Sequence, residues 1–400
     1  MHVWIDADPA FGRPTFFGLT PLERVLRAVA QLGDAVHGIT VSATRPVDVP
    51  AAMQLDIAAG SVGARLAHFL EETDGPVLAL DGGALIDNRL LPLLVDEPDP
   101  IALFGSDPAW PTAILRLDAR TPPPPADTLA ETARRMVADG TLTAKTLDSL
   151  PRFINKLRRD LTFTLHGMPD ATTRDALERD QFWRNYKGST DFLTRWVFPP
   201  FVWPATRFCA RNHIHPNTVT IVSIVLCIAA IPLFAAGMWI TGLLAAYAMM
   251  ILDSVDGKLA RLTMTDSPIG NVLDHGTDIV HPPFWYIAWA IGLGATGLSH
   301  PLGLAAILLF MFYVADRLVL MVAKRHFGCG LHTMSATDAF ARTWIARRNV
   351  NVAIFTLGLI LGLGPGAFVA VAAWQGITLA WHAARTVWLW PAARHAQPAE

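Results

Sequence analysis

Long apolar stretches fill the second half of the chain and constrain its fold more than any other feature. From about residue 217 onward they follow one another, and each has the roughly 20 residues that a helix needs to cross a bilayer. The sequence therefore predicts an all-α membrane domain of six spans. Their expected bounds are residues 217–237, 240–261, 270–294, 301–323, 349–365 and 367–390.

The charged residues between these spans predict an orientation. Lys and Arg are concentrated before the first span, at the end of the second and before the fifth, whereas the other turns carry none. By the positive-inside rule the basic turns face the cytosol, so both chain ends are expected there too, in the cytoplasmic membrane if the source is bacterial. The basic residues are Arg207, Arg211, Lys258, Arg261, Lys324, Arg325, Arg342, Arg347 and Arg348.

The first 200 residues differ in composition, because they hold most of the acidic and proline-rich sequence. The opening MHVWIDADPAFG carries acidic residues where a signal peptide needs basic ones, so this part is expected in the cytosol. We expect a multi-domain protein of three parts. Residues 1–150 form a cytosolic α/β domain, residues 151–212 a linker with amphipathic helices at the membrane surface, and residues 213–392 the six-span domain.

Four aspartates lie within the apolar half. Asp253 and Asp256 are three residues apart and Asp274 and Asp278 are four apart, so each pair shares one face of a helix. Converging carboxylates need cations, and carboxylates at membrane depth are by default functional. The alternative is a set of solvated carboxylates in a cytosolic turn, with Arg261 as the partner of one of them.

The spacing around these aspartates is that of a known signature. The pattern D-x2-D-G-x2-A-R-x8-G-x3-D-x3-D resembles the signature of the CDP-alcohol phosphotransferases, and H-P-N-T-V-T before the first span is similar to their P-N-x-x-T segment. Six spans also agree with that family, and the resemblance covers the second half of the chain. The eight signature positions are Asp253, Asp256, Gly257, Ala260, Arg261, Gly270, Asp274 and Asp278.

The resemblance implies transfer of a phosphoryl-linked group from a CDP-alcohol to an alcohol hydroxyl, with release of CMP, in phospholipid or polar-lipid biosynthesis. It implies that Asp253, Asp256, Asp274 and Asp278 hold two Mg²⁺ or Mn²⁺ ions, and that Asp278 also accepts the proton of the attacking hydroxyl. Two divalent ions neutralise the charge on the nonbridging oxygens and on the leaving CMP. Carboxylate oxygens suit both metals. Homodimers are a further property that the resemblance implies.

The resemblance also assigns residues to the cytidine nucleotide. Gly257 lets the substrate approach the helix backbone, and Arg261 offers the diphosphate a fork of donors that lysine lacks. For Asn217 and Thr220, an ordinary helix start after Pro216 remains an alternative. The full nucleotide set is Asn217, Thr220, Asp253, Gly257, Ala260, Arg261 and Gly270.

The basic residues before the fifth span allow two interpretations. They either follow the positive-inside bias and contact anionic lipid headgroups, or bind a phosphate of the acceptor through Arg348 and Arg342. The run A-R-R-N-V-N-V-A-I-F is similar to a segment of family members that use inositol phosphate, although Asn349 stands where an acidic residue is expected. Asp316 and Arg317, inside the fourth span, either neutralise each other or contribute to the acceptor pocket.

The first 150 residues predict strands at 3–6 and 76–81 and a helix from Thr20. This order resembles the sugar-nucleotide (GT-A-like) nucleotidyltransferases, some of which are fused to CDP-alcohol phosphotransferase domains and supply CDP-inositol. In that comparison Asp81 matches the strand-end metal aspartate. Only Gly12 and Arg13 remain of their glycine-rich loop, and the neighbouring prolines remove backbone donors for phosphate. We therefore expect a degenerate domain.

Several functions remain open at this point. The donor is either CDP-diacylglycerol, attacked by a soluble polyol or amino alcohol, or a CDP-polyol such as CDP-inositol. A bifunctional cytidylyltransferase–phosphotransferase, a membrane protein that binds or assembles partners without turnover, and a transporter are the alternatives. Nucleic acid is not an expected partner, because the basic residues lie at the predicted membrane borders.

Overall fold

The structure is a computed structural model of the 400-residue chain. It describes residues 1–118, 121–151, 153–154, 159–167, 171–266 and 268–391, without the side chains of residues 153, 154, 159, 171–173, 268, 269, 271, 272, 274 and 275. The chain forms two compact units. One comprises Met1–Ile154, Asp160–Arg184 and Leu262–Met264, and the other Asn155–Arg159, Asn185–Arg261 and Thr265–Glu400.

The first unit is an α/β structure. Its strands are β1 (His2–Asp6), β2 (Gly38–Ala43), β3 (Gln54–Ile57), β4 (Val77–Asp81), β5 (Ala84–Ile86), β6 (Ile101–Phe104), β7 (Ala113–Leu117), β8 (Thr143–Lys145), β9 (Phe153–Ile154), β10 (Arg159–Asp160) and β11 (Leu165–Gly167). Its helices are α1 (Pro21–Ala30), α2 (Val62–Glu71), α3 (Leu90–Val95), α4 (Leu129–Ala138) and α5 (Ala171–Arg184).

Seven of these strands form one mixed sheet in the order β3-β2-β1-β4-β7-β6-β8. β1 is parallel to β2 and β4, whereas β7 is antiparallel to β4 and β6. Val3 and Ile5 lie in one apolar core and Trp4 in another, so β1 is covered on both faces, as is typical of a central parallel strand. The predicted α/β class, the helix capped by Thr20 and the strand that ends at Asp81 are confirmed. A nucleotidyltransferase relationship stays a prediction.

The α/β unit extends further along the chain than the predicted boundary at residue 150. β11 pairs with β5, with Gly167 opposite Ala84. In α5, Glu178 is buried and its carboxylate accepts a hydrogen bond of 2.9 Å from the Phe17 backbone N–H. Residues 165–184 are therefore part of the α/β unit, because their partners lie some 80 to 160 positions earlier in the chain; the linker assigned to residues 151–212 is shorter.

The second unit is helical. A short π-helical turn (Leu193–Val197) precedes its α-helices. Its helices are α6 (Pro199–Arg211), α7 (Pro216–Ala235), α8 (Trp239–Thr263), α9 (Pro268–Val280), α10 (Pro282–Gly292), α11 (Pro301–Phe327), α12 (Ala336–Trp344), α13 (Arg348–Ile360) and α14 (Gly364–Leu389).

Four of these helices are long and apolar enough to cross a membrane, namely α7, α8, α11 and α14, within the part of the chain that the structure describes. The fifth predicted span corresponds to α13, which has 13 residues. The third corresponds to the two shorter helices α9 and α10. A helical domain with four candidate spans is thus established, while six spans and a cytosolic orientation remain predictions.

The single continuous helix expected over residues 270–294 is wrong, because Pro282 and Pro283 interrupt it. Proline has no N–H, so neither residue donates to the carbonyl four positions earlier, at Asp278 or at Ile279. The hydroxyl of Tyr313 on α11 replaces one of these donors and lies 2.8 Å from the Ile279 carbonyl oxygen. The break at His281 therefore lies within one turn of Asp278, on the helix that carries it.

Candidate functional site

Two of the predicted aspartates meet at a single arginine. Nη2 of Arg348, at the start of α13, donates to Oδ2 of Asp253 on α8 at 2.8 Å, and its Nη1 donates to Oδ1 of Asp278 on α9 at 2.5 Å. The arginine side chain is 11% exposed and that of Asp278 is 39% exposed. Asp274 lies one turn before Asp278 on α9, but its side chain is outside the described residues.

A third aspartate, Asp256, is held by its surroundings. It is 4% exposed, its Oδ2 accepts a hydrogen bond of 2.7 Å from the Thr220 hydroxyl on α7, and its Oδ1 accepts one of 2.5 Å from the Gly257 N–H. Thr220, which the sequence assigned to the nucleotide, is thus in direct contact with a predicted metal ligand. Asn217 lies in the first turn of α7, where its N–H donates to Nδ1 of the helix-capping His215.

Arg261 lies two turns beyond Asp253 on α8. Its Nε donates to the side-chain oxygen of Asn185 at 3.1 Å and its Nη2 to the Asn185 carbonyl at 3.4 Å. A Cβ added at Gly257 would find only Nη1 of Arg261 within 4 Å, at 3.5 Å. The helix surface at Gly257 is therefore open next to the guanidinium, as an approaching diphosphate requires.

Lys258 occupies a different environment from the exposed turn that its charge suggested. It is 5% exposed, its ammonium lies 4.0 Å from the centre of the Tyr186 ring, and it donates to the Ser254 carbonyl at 3.2 Å. Desolvated cation–π contacts of this kind stabilise a buried ammonium. Of the other predicted residues, Ala260 lies on α8, Gly270 in the first turn of α9 and Arg342 in the last turn of α12.

Asn349 connects the arginine to the segment before α6. Its Nδ2 donates to Oδ1 of Asp191 and to the hydroxyl of Thr194, each at 3.1 Å, while its Oδ1 accepts from Nε of Arg348 at 3.1 Å. An ionised carboxylate at this position would have no proton to donate to Asp191. The amide that looked anomalous in the sequence is therefore the group that fits both neighbours.

Asp191 is itself almost fully buried. Burial acts to raise the pKa of Asp191, but the charge of Arg347 and the hydrogen bonds from Thr194 and Asn349 outweigh it, so the pKa lies below its ordinary value. The carboxylate is ionised at neutral pH and so remains an acceptor for Asn349. Sequence reasoning assigned no site role to Asp191 or Thr194, because their partner lies more than 150 positions away.

A second buried polar cluster joins α11 and α14. Asp316 is fully buried, and its two oxygens contact Nη2 of Arg317 at 2.8 Å and Nδ1 of His382 at 2.5 Å. The expected contact between Asp316 and Arg317 is present. The sequence gives no local signal for His382, because its neighbours are mostly apolar and its partner lies 66 positions earlier.

The donor chemistry of the site suits a hard divalent cation. Among the residues whose side chains the structure describes, no three His, Cys, Asp or Glu are grouped to hold a metal ion. Asp253 and Asp278 nevertheless come from separate helices and approach the same positive group. Carboxylate oxygens gathered around positive charge are the ligands that Mg²⁺ and Mn²⁺ prefer.

In the α/β unit the strand-end acids have partners within the unit itself. Asp6 at the end of β1 contacts Arg65 of α2 at 2.9 Å, and both side chains are almost fully buried. Asp81 at the end of β4 accepts from the Thr112 hydroxyl at 2.7 Å and from the Gly83 N–H at 2.8 Å. Burial raises the pKa of Asp6 to about 6, despite the charge of Arg65, and burial also raises the pKa of Asp81.

The loop after β1 also closes over these strand ends. A Cβ at Gly83 would lie 2.7 Å from the carbonyl carbon of Pro9, so backbone from the two loops is in contact. Arg13 donates to the Pro9 carbonyl and packs over the Trp110 ring. In parallel α/β sheets, ligands bind in the crevice between such loops, where the strand order reverses. Here the chain fills part of that crevice.

Comparisons with known proteins bear on the helical half. Residues 213–388 match the model of the family described as CDP-alcohol phosphatidyltransferase. A stretch of 160 residues is 29% identical to cholinephosphotransferase 1 of Gallus gallus and covers 37% of this chain and 47% of that protein. A stretch of 118 residues is 25% identical to an uncharacterised class-I family protein of Schizosaccharomyces pombe and covers 25% of this chain and 30% of that protein.

Among solved structures, phosphatidylinositol phosphate synthase of Mycobacterium tuberculosis with CDP-DAG bound aligns with a TM-score of 0.40 and 19% identity. The alignment covers 50% of this chain and 98% of that structure. The chain spans less than half the length of either curated relative. The family match begins at residue 213 and therefore lies entirely beyond the first 184 residues, which contain the strands of the α/β unit.

Proposed function

We propose that this chain is a CDP-alcohol phosphotransferase, on the premise that its residues 213–388 form a CDP-alcohol phosphatidyltransferase domain. The reaction transfers the phosphoryl-linked group of a CDP-alcohol to the hydroxyl of a second alcohol and releases CMP. The observation that carries this proposal is the convergence of Asp253 and Asp278, from α8 and α9, on one cationic group. The complete signature spacing supports it.

Each described residue has a role in this proposal. Arg261 binds the diphosphate of the donor across the open surface at Gly257. Thr220 and the Gly257 N–H fix the orientation of Asp256. Asp278, the most exposed of the described site carboxylates, accepts the proton of the attacking hydroxyl, which requires that it lie within hydrogen-bond reach of that hydroxyl.

The metal ligands in this proposal are Asp253, Asp256, Asp274 and Asp278, and the ions are two Mg²⁺ or Mn²⁺. When bound, such ions neutralise the charge on the diphosphate and on the departing CMP. The protein contributes the carboxylates on two adjacent helices, so that donor and acceptor are positioned in the same place. Six spans, a cytosolic site and a homodimer complete the proposed arrangement in the bilayer.

Three kinds of CDP-alcohol donor are proposed. The name of the Gallus gallus relative, cholinephosphotransferase, favours a CDP-amino alcohol such as CDP-choline as donor, and we propose a lipid hydroxyl as its acceptor. A second possible donor is CDP-diacylglycerol, with a polyol or its phosphate as acceptor. A third is a CDP-polyol such as CDP-inositol. CMP is released in each case. The type of reaction can therefore be tested separately from the identity of the substrates.

The test is CMP release by the purified full chain in lipid nanodiscs. We expect CMP only when a donor, an acceptor and Mg²⁺ are all present, and no CMP after chelation. The panel includes CDP-choline with diacylglycerol, CDP-diacylglycerol with inositol phosphate and CDP-inositol with either acceptor. Monodisperse protein that releases no CMP from any pair would favour the binding or assembly alternative, and solute flux without CMP would favour a transporter.

Tyr313 should influence the reaction through α9. Tyr313→Phe removes the hydroxyl that donates to the Ile279 carbonyl, which Pro283 leaves without its helical donor. Because the Ile279 carbonyl loses its donor, we expect α9 to adjust at the adjacent Asp278, with CMP release lowered severalfold. The measurement is kcat and KM against Tyr247→Phe, whose hydroxyl bonds to Thr356 instead. Equal turnover in both variants would show that the break needs no such support.

We also propose that the α/β unit lacks cytidylyltransferase activity. Its strand-end acids are already paired with Arg65 and Thr112, and Pro9 packs on Gly83. We expect no CTP consumption, and CMP release unchanged in Asp81→Asn and Arg13→Gln. The measurement is pyrophosphate release from CTP with inositol phosphate. Pyrophosphate formation that disappears in Asp81→Asn would instead show a bifunctional enzyme.

A further inference from the structure

We propose that Arg348 is an internal counter-ion of the carboxylate site, which competes with divalent metal for Asp253 and Asp278. Metal binding and the release of this guanidinium are then coupled. The inference deepens the proposed function and rests on it, since it concerns the same carboxylates. It differs from the acceptor-phosphate role expected from the sequence, because it gives Arg348 a partner within the protein.

The contacts of Arg348 use its whole guanidinium. Nη2 binds Asp253 at 2.8 Å, Nη1 binds Asp278 at 2.5 Å, and Nε binds the Asn349 side chain at 3.1 Å. The planar fork of arginine reaches two carboxylates on different helices at once, which an ammonium group does less well. In this position each of the three nitrogens has an oxygen partner, so the side chain is engaged by the carboxylates rather than presented to a phosphate.

The electrostatics of the site prevent the guanidinium and a divalent metal from binding the two carboxylates at the same time. Two partly buried carboxylates on adjacent helices repel each other unless positive charge lies between them. One guanidinium supplies a single charge, whereas a divalent ion supplies two and binds the same oxygens directly. The two cations repel each other at such short range, so a metal that occupies Asp253 and Asp278 displaces the guanidinium.

The surroundings allow the guanidinium to move while its backbone stays fixed. Arg348 is the first residue of α13, with Arg347 as the preceding cap residue. The adjacent Asn349 is 7% exposed and is held by Asp191 and Thr194. The start of α13 is thus fixed through Asn349. A displaced Arg348 side chain remains next to the carboxylates, where it meets the phosphate of a bound substrate.

The experiment measures Mn²⁺ binding to the full chain in nanodiscs by electron paramagnetic resonance, without nucleotide or acceptor. Arg348→Gln removes the competing charge, Arg348→Lys keeps the charge without the fork, and Asp253→Asn identifies binding at this site. We expect Mn²⁺ to bind Arg348→Gln at least about tenfold more tightly than the wild type, because one hydrogen bond between charged groups contributes that much. Arg348→Lys should be intermediate.

Arg347→Gln is the matched control. It removes one positive charge from the neighbouring position but leaves the contacts of Arg348 with Asp253 and Asp278 in place. A large gain in Mn²⁺ affinity from Arg348→Gln and a small one from Arg347→Gln supports direct competition. Equal gains from both variants would overturn it in favour of a general charge effect, and equal affinity of Arg348→Gln and wild type would overturn it as well.

Thermal unfolding gives a second readout that does not depend on turnover. Arg348→Gln leaves two carboxylates without their cation, so we expect a lower Tm than wild type in chelator and a larger rise on addition of Mn²⁺. If Arg348→Gln does not fold, the Arg348→Lys titration still decides the question. Absence of CMP release together with the expected affinity order would contradict the proposed function alone. Absence of Mn²⁺ binding sensitive to Asp253→Asn in every variant would overturn the metal site and the inference together.

Discussion

Asp278→Asn is expected to lower CMP release by about 10²–10⁴-fold, the range attributed to a positioned proton acceptor. The variant has nearly the same shape but carries neither the negative charge nor the basic oxygen that faces Arg348. Because the side chain of Asp278 is more exposed than that of Asp253, it is the better placed of the two to meet an acceptor hydroxyl. The measurement is single-turnover CMP release at saturating donor.

Asp266→Asn is the control for this variant, since it removes a carboxylate from the turn between α8 and α9 at an unspecified position of the signature. Its CMP release should stay close to that of the wild type. Mn²⁺ titration of Asp278→Asn separates the two roles of the residue. Near-normal turnover with metal still bound would show that Asp278 is not the proton acceptor, whereas lost turnover with lost metal would assign it to metal binding.

Asn349→Asp is expected to have the second large effect. The substitution replaces the amide donor with a carboxylate that faces Asp191, so two buried acids oppose each other and Asp191 loses a hydrogen bond. Leaving one buried acceptor unsatisfied costs about 1–3 kcal/mol, and charge repulsion adds to this. We expect a lower Tm and CMP release reduced at least tenfold, because Arg348 then binds a carboxylate on its own helix as well.

A reciprocal exchange tests the cause. In the double variant Asp191→Asn with Asn349→Asp, the donor and the acceptor change places, so the hydrogen bond between the two positions is restored. We expect Tm and CMP release to recover most of the loss. A double variant as impaired as Asn349→Asp alone would mean that the negative charge of Asp191, rather than its pairing with Asn349, is what the site requires.

Local spacing in the sequence predicts which site residues share a helix face, but it does not predict the side-chain contacts between helices. Three- and four-residue intervals are enough to predict which aspartates share a face of α8 or α9. The contact of Asp278 with Arg348 joins positions 70 apart, and that of Asp191 with Asn349 joins positions 158 apart. No periodic pattern encodes such pairs, since they depend on how the helices pack. Asn349 was recognised as unusual in the sequence, but only its partners explain it.

Two differences from the sequence predictions have simple physical causes. The interruption between α9 and α10 was present in the sequence as Pro282-Pro283, but hydropathy outweighed it over a window of this length. Lys258 was counted as a cytosolic charge by the positive-inside rule, although a lysine one turn inside a helix end can bury its ammonium on an aromatic ring. In both cases a rule that averages over a segment missed the effect of individual residues.

In the α/β unit, the apolar patterns predict the strands at residues 3–6 and 76–81 and the helix from Thr20, but not the sheet. The order that places β7 between β4 and β6, and the pairing of β11 with β5, are set by packing over long separations. Asp6 and Asp81, at the ends of the two predicted strands, are neighbours in register. The pairing of Asp6 with Arg65 depends on α2, which no motif indicated.

The pairing of Asn349 with Asp191 and Thr194 has a consequence for protein engineering. The first turn of α13 and the segment before α6 act as one module, because the Asn349 amide donates to both Asp191 and Thr194. A chimera that imports α13 from a relative, in order to change the acceptor, would leave the Asp191 carboxylate facing a mismatched side chain. Transplants that carry both segments together should therefore fold and turn over, whereas those that carry one should not.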